Sequence, residues 1–144
     1  MKTLRIGQIS KIDYEKGRAS VLYNDLDGAV TAMLPMLSYG DEYHMPEVED
    51  YVAVLHTESG LGDGIILGKI WTGKKLPSKK GEDVYRKEFS NKQGKAYLER
   101  VPGSGSRLEV DNSLTIKASS IRFETNGGSV TVQQIINHLT YGDY

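Results

Sequence analysis

The side chains that could do chemistry in this 144-residue chain are few and far apart. His44, His56 and His138 form no paired motif. His56 sits in an apolar run and reads as a sheet residue. His138 lies near the end of the chain, where only symmetry copies meeting on an axis would make a metal site of it. Asp41, Glu42, Glu47, Glu49 and Asp50 offer the oxygens a hard cation prefers, but without a twelve-residue ligand loop they read as a solvated acidic connection. Gly60-x-Gly-x-Gly64 has the spacing of a phosphate loop. That chemistry requires a helix N-terminus after the glycines, and here β-branched strand sequence follows, so the segment reads as a hairpin turn. Lys74, Lys75, Lys79 and Lys80 could meet phosphates. Single-strand binding also wants exposed aromatics on a basic sheet face, and the preceding residues are acidic.

Other chemistries are excluded by what is missing. With no cysteine there is no disulfide, thiolate metal site or cysteine nucleophile. There is no Gly-x-Ser-x-Gly elbow, no His-Glu-x-x-His and no carboxylate pair at catalytic spacing. The expectation is a protein without enzyme activity, with no catalytic residues, no cofactor and no bound metal.

Composition points to the elements that must hold these residues. At 38% hydrophobic and 26% charged, the chain suits a packed core better than global disorder. Sixteen glycines against four prolines suit the many tight turns of an all-β protein. The net charge of −1 hides an asymmetry. Residues 1–72 hold six Lys/Arg against eleven Asp/Glu, a net of −5, and residues 73–144 hold twelve against eight, a net of +4. Two regions with different surroundings follow. Met1-Lys-Thr-Leu-Arg-Ile-Gly7 contains no long apolar run, so neither a signal peptide nor a membrane span is expected, and synthesis in the cytoplasm is the default.

Residues 1–72 read as five strands. They run from Leu4 to about Asp13, Arg18 to Tyr23, Ala29 to Leu34, Tyr51 to His56 and Gly64 to Trp71. Glu15-Lys-Gly17 and Asp25-Leu-Asp-Gly28 supply turns, Pro35 stops the third strand, and residues 35–50 form a longer connection. Five short strands with that longer link match an OB-fold barrel, although a generic small barrel or sandwich has the same strand count. The expected core is Leu4, Ile6, Val21, Val52, Val54, Ile66 and Leu67.

Residues 73–84 are polar and basic and read as a linker. Strand alternation resumes over 85–130. From Arg107 to Thr125 it becomes the most telling pattern in the chain. Leu108, Val110, Leu114, Ile116 and Ala118 fall on even positions, and after Ser119-Ser120 the register flips to Ile121 and Phe123. This apolar face is too thin to make a core by itself, and identical copies are the simplest partners. Asn126-Gly-Gly128 ends the strands. Residues 131–144 form a helix and tail, with Val132, Ile135, Ile136 and Leu139 at helical spacing and either Thr131, paired with Gln134, or Ser129 as the cap. The expected shared trimer core is Leu108, Val110, Leu114, Ile116, Ile121, Phe123, Ile135 and Leu139.

Ile6-Gly-Gln-Ile-Ser-Lys-Ile-Asp13, Gly17-Arg-Ala-Ser-Val21, Met33-Leu-Pro35, Pro46-Glu-Val-Glu-Asp-Tyr-Val-Ala-Val-Leu55 and Gly64-Ile-Ile-Leu-Gly-Lys-Ile-Trp71 together resemble a known family. It is the OB domain of the central spike of contractile injection systems: the phage baseplate assembly protein V family, its tail-spike relatives and the VgrG proteins of type VI secretion. The resemblance covers about residues 4–72; residues 85–130 resemble the family's short β-helical spike by pattern rather than by motif. It implies a homotrimer whose OB domains form a collar under the hub or tail tube, while strands from three chains wind into a β-helical prism. It implies a mechanical role, piercing the target cell envelope from the baseplate of a phage or phage tail-like particle, with no nucleic acid as partner.

Three departures narrow what carries over. Glu49 stands where the family often has glycine. No lysozyme-like insert separates barrel from spike, so hydrolase activity is not carried over. The paired-histidine iron motif of some spike tips is missing, and Thr140-Tyr-Gly-Asp-Tyr144 ends the chain, which leaves a blunt tip or one completed by a separate tip protein. The rival readings are a monomeric OB-fold module for single-stranded nucleic acid and a carbohydrate-binding tail accessory, the latter kept open by the nine tyrosines.

Overall fold

β1 (Leu4–Asp13) is the spine of the first sheet in the computed structural model, which describes residues 3–57 and 60–142. It pairs antiparallel with β2 (Arg18–Tyr23) on one side and, past β3 (Ala29–Val30) and β4 (Leu34–Pro35), with β5 (Tyr51–Leu55) on the other. β3 and β4 both pair with β2, and β6 (Ile65–Lys69) pairs with β5. A separate three-stranded sheet runs β7 (Tyr85–Glu88), β8 (Tyr97–Val101), β9 (Gly105–Glu109). These nine strands make one unit, Met1–Glu109. The second unit, Val110–Tyr144, holds the hairpin β10 (Arg122–Thr125) and β11 (Gly128–Thr131) and the helix α1 (Val132–Tyr141). Among the described residues the protein is mainly β with one α-helix, at the C-terminal end. No helix among the described residues is long and apolar enough to cross a membrane.

Local chemistry explains the turns. Asp13 accepts the N–H groups of Glu15 and Lys16 on its carboxylate, and Gly17 takes the left-handed conformation (φ 63°) that closes the turn into β2. Asn24–Leu26 forms a 3₁₀ turn, and Asp27 and Gly28, both at positive φ, return the chain toward β3. The third expected strand, Ala29 to Leu34, is broken in two. Buried Thr31 is the cause: its hydroxyl accepts the Val21 N–H at 2.9 Å, in the place a ladder carbonyl would take. Pro35 lies inside β4 rather than after it.

The core is Ile9, Ala19, Val21, Tyr23, Leu34, Val52, Val54 and Ile66. Four of the seven expected core residues are therefore buried: Val21, Val52, Val54 and Ile66. Leu67 is half-buried, and Leu4 and Ile6 point outward at 56% and 57% exposure. On β1 it is Arg5, Gly7 and Ile9 that face inward, opposite Val54 and Val52. A strand has period two, so reading the wrong face inverts every side chain. Arg5 is tolerated inside because its guanidinium bonds Asp25 at 2.6 Å and lies 5.0 Å from the centre of the Tyr23 ring.

Among the described residues no closed barrel forms. The far end of the sheet is held by one isolated parallel bridge, Met36 to Ile66, and a Leu37 N–H to Ile66 C=O bond of 2.8 Å. Residues 73–84 carry no strand, but they fold back on the first sheet: Thr72 accepts the N–H groups of Lys74 and Lys75, and the Lys75 ammonium reaches Asp50 at 2.5 Å.

In the second unit the expected strand over 110–121 is not formed, and these residues pair with no described strand. Asn126-Gly127 does not end the strands; it is the two-residue connection of β10–β11, in which Phe123 pairs with Val130. Thr131 caps α1 and forms the capping box with Gln134.

Candidate assembly surfaces and polar clusters

Of the eight residues expected to share an interface, five are exposed in the single chain and three are half-buried. Leu108, on β9, pairs across the ladder with Leu98, and the two are 47% and 38% exposed. It belongs to the first unit, whereas the other seven lie in the second. Leu114 and Ile116 fall within 110–121 and are 53% and 61% exposed. Phe123 is exposed on β10, and Leu139 is exposed on α1. Val110, Ile121 and Ile135 are half-buried. The Ile121 carbonyl accepts the Val132 N–H at 2.8 Å, which ties the start of the hairpin to the start of the helix. Burying a Leu, Ile or Phe side chain gives about 1.5–3 kcal/mol, and the isolated chain forgoes much of that at each exposed site.

A second apolar face went unread in the sequence. Leu4 pairs with Leu55 and Leu55 with Ile65; Ile6 pairs with Ala53; Gln8 pairs with Leu22 and Leu22 with Val30. Cross-strand partners share a face, so these residues form an outward patch crossed only by Gln8, which accepts a hydrogen bond from Asn24.

The polar side chains that looked reactive are engaged structurally. His56, just after β5, is buried; its Nδ1 lies 2.8 Å from the Asp63 carbonyl and its Nε2 2.6 Å from the Tyr23 hydroxyl. Burial pushes the Tyr23 hydroxyl up to about 12; nearby Arg5 opposes that rise and Asp25 adds to it. His44 bonds Asn91 at 3.0 Å, and Asn91 in turn donates to the Met45 carbonyl.

The acidic connection divides by environment. Asp50 is buried; it accepts the Glu47 N–H and carries Lys75 at 2.5 Å and Lys69 at 3.8 Å. Burial alone would raise its carboxyl, but the Lys75 bond, the Glu47 N–H and the two ammonium charges together hold it below its ordinary value. Glu42 pairs with Lys87 at 2.7 Å across to β7. Among the described residues no three His, Asp or Glu side chains gather as a metal site. The Gly60–Gly64 turn leads into β6, not into a helix.

No protein-family model and no curated protein matches this chain.

Proposed function

We propose that this chain is a structural subunit that completes its fold with copies of itself, as the trimeric central spike of a contractile tail baseplate. The observation that carries this reading is the stretch 110–121: it pairs with no described strand, yet Leu114 and Ile116 expose 53% and 61% of their surface. A chain that alternates apolar and polar residues without a partner strand invites edge pairing. Three copies wound about one axis would satisfy the backbone and cover Leu108, Val110, Leu114, Ile116, Ile121 and Phe123 together, with Ile135 and Leu139 of the helix closing the end.

The order of the first sheet supports an OB-type head. Its pairings run β1–β2–β4, pass through the parallel Met36–Ile66 bridge to β6, and return through β5 to β1. A partly open five-strand Greek-key circuit is the OB arrangement, with β3 and β4 as one interrupted strand. In the assembled particle this head would cap the hub or tail tube, and the wound strands would transmit sheath force to a small area of the target envelope. Intertwined strands suit that load because ladder bonds and core contacts must fail together. The role is mechanical, and no catalytic step is assigned.

The test is the solution mass of the purified chain by light scattering after size exclusion. One chain is 16.0 kDa. Three times that mass supports the reading; a monomer that unfolds in one sharp transition overturns it.

A further inference from the structure

A cavity of about 800 Å³ opens in the first unit, where the segment after β6 passes over β7. That size lies within the range of small-molecule sites. One wall carries Trp71, the only tryptophan of the chain, with 64% of its surface exposed. An indole left so open is a free apolar plate rather than core packing.

The cations of the cleft fall into two groups. Four are spoken for: Lys75 and Lys69 by Asp50, Arg86 by Glu88 and Glu99, and Lys87 by Glu42. Lys74 and Lys79 also line the cleft, and their ammonium groups have no partner among the described residues. The cleft also holds one carboxylate unpaired among the described residues, that of Glu49, and engaged amides. Gln93 donates its amide to the Leu76 carbonyl and keeps its own side-chain oxygen free, and Asn91 is held at both ends.

A plate, two unspent positive charges against one carboxylate, and hydrogen-bonding amides describe a ligand with one weakly polar flat face and a single anionic group. We propose that this cleft binds an anionic saccharide, with the C–H face of the ring on Trp71 and its carboxylate or phosphate on Lys74 and Lys79. A nucleic-acid strand fits less well. It needs successive stacking aromatics and a continuous cationic track, whereas this cleft offers one open indole and two unpaired lysines.

The lone tryptophan makes the test direct. The full chain is titrated, with Trp71 fluorescence as the readout, against glucuronate, glucose 6-phosphate, glucose, inorganic phosphate and adenosine monophosphate. The expected result is a saturable change with glucuronate or glucose 6-phosphate in the millimolar range, the tighter of the two naming the anion. Glucose and phosphate alone should each bind about tenfold more weakly, because each makes only half of the contacts. Lys74→Ser with Lys79→Ser should weaken the sugar by about tenfold, while Lys80→Ser, outside the cleft, should leave it unchanged. No saturable change with either sugar, an affinity unmoved by the double variant, or phosphate or the nucleotide binding as tightly would overturn the proposal. Light scattering on the same sample reads the assembly state beside the titration, so a failure of the trimer and a failure of the cleft are told apart.

Discussion

The Tyr23 hydroxyl lies 2.6 Å from Nε2 of His56, with both rings buried at 0% and 2% exposure. The Asp63 carbonyl, 2.8 Å from Nδ1, can only accept. Nδ1 of His56 therefore donates to that carbonyl, and in this tautomer Nε2 accepts from the Tyr23 hydroxyl. With its ionisation pushed up to about 12, Tyr23 remains a donor at any ordinary pH. The pair ties β2 to the chain leaving β5, across the interior of the first sheet.

Tyr23→Phe keeps the ring and removes the donor. Nε2 is then left buried and unsatisfied, so the variant should lose about 1–3 kcal/mol of unfolding free energy. Urea titration of both proteins checks this. An unchanged midpoint with an unchanged slope would mean that the hydrogen bond contributes nothing.

Gly7 faces inward on β1, and a Cβ there would lie 2.5 Å from Val21 Cγ1, 2.7 Å from the Leu22 carbonyl oxygen and 2.7 Å from Tyr23 Cδ1. The carbonyl belongs to the β1–β2 ladder and cannot swing away. Gly7→Ala should therefore destabilise by about 1–3 kcal/mol, the usual cost of overpacking, although the added methyl is apolar and alanine is less flexible when unfolded. Thermal unfolding decides between the two effects; a raised Tm would mean that the flexibility term wins.

What was legible in the sequence was local. Glu15-Lys-Gly17 announced one turn, Asp25-Leu-Asp-Gly28 another, and Thr131 with Gln134 the helix start, because each signal and its partner lie within a few residues. The face of β1 was misread because Leu4 and Ile6 looked like core. Arg5 can be buried only because Asp25, twenty residues on, meets it. The β10–β11 hairpin was hidden because Gly128-Ser-Val-Thr131 carries one apolar side chain and reads as turn. The break at Thr31 depends on one hydroxyl replacing a ladder carbonyl, which no period reveals. The cleft around Trp71 joins residues from Gln8 to Gln93, and only the tertiary fold brings them together.

Asp50 gives the first unit an acid sensitivity of known sign. Its carboxyl is held below the ordinary value of 3.8 in the folded state, so the group contributes stability above that value. That contribution is lost as pH falls through the ordinary value toward the lower folded one. The difference in unfolding free energy between the wild type and Asp50→Asn should be largest near neutral pH and shrink on acidification through this range. Denaturant titrations at a series of pH values check it, and a constant difference would remove Asp50 as a source of the acid sensitivity.

Ile116 is 61% exposed in the single chain, so a change there should cost the isolated fold almost nothing. In the proposed trimer the same side chain lies near an apolar axis with two copies of itself. Ile116→Asp would bring three carboxylates together without partners, and each unpaired buried charge costs several kcal/mol. The two situations separate cleanly by experiment. The variant should elute as a 16.0 kDa monomer while the wild type runs at three times that mass. The first unit should keep its unfolding transition, because Ile116 lies outside Met1–Glu109. Lys117→Asp changes the neighbouring exposed position, and alternation places it on the opposite, solvent side. It should still assemble. If Ile116→Asp forms the same trimer as the wild type, the axial position of this residue is wrong; if Lys117→Asp also dissociates, the alternation does not set which side faces the partner.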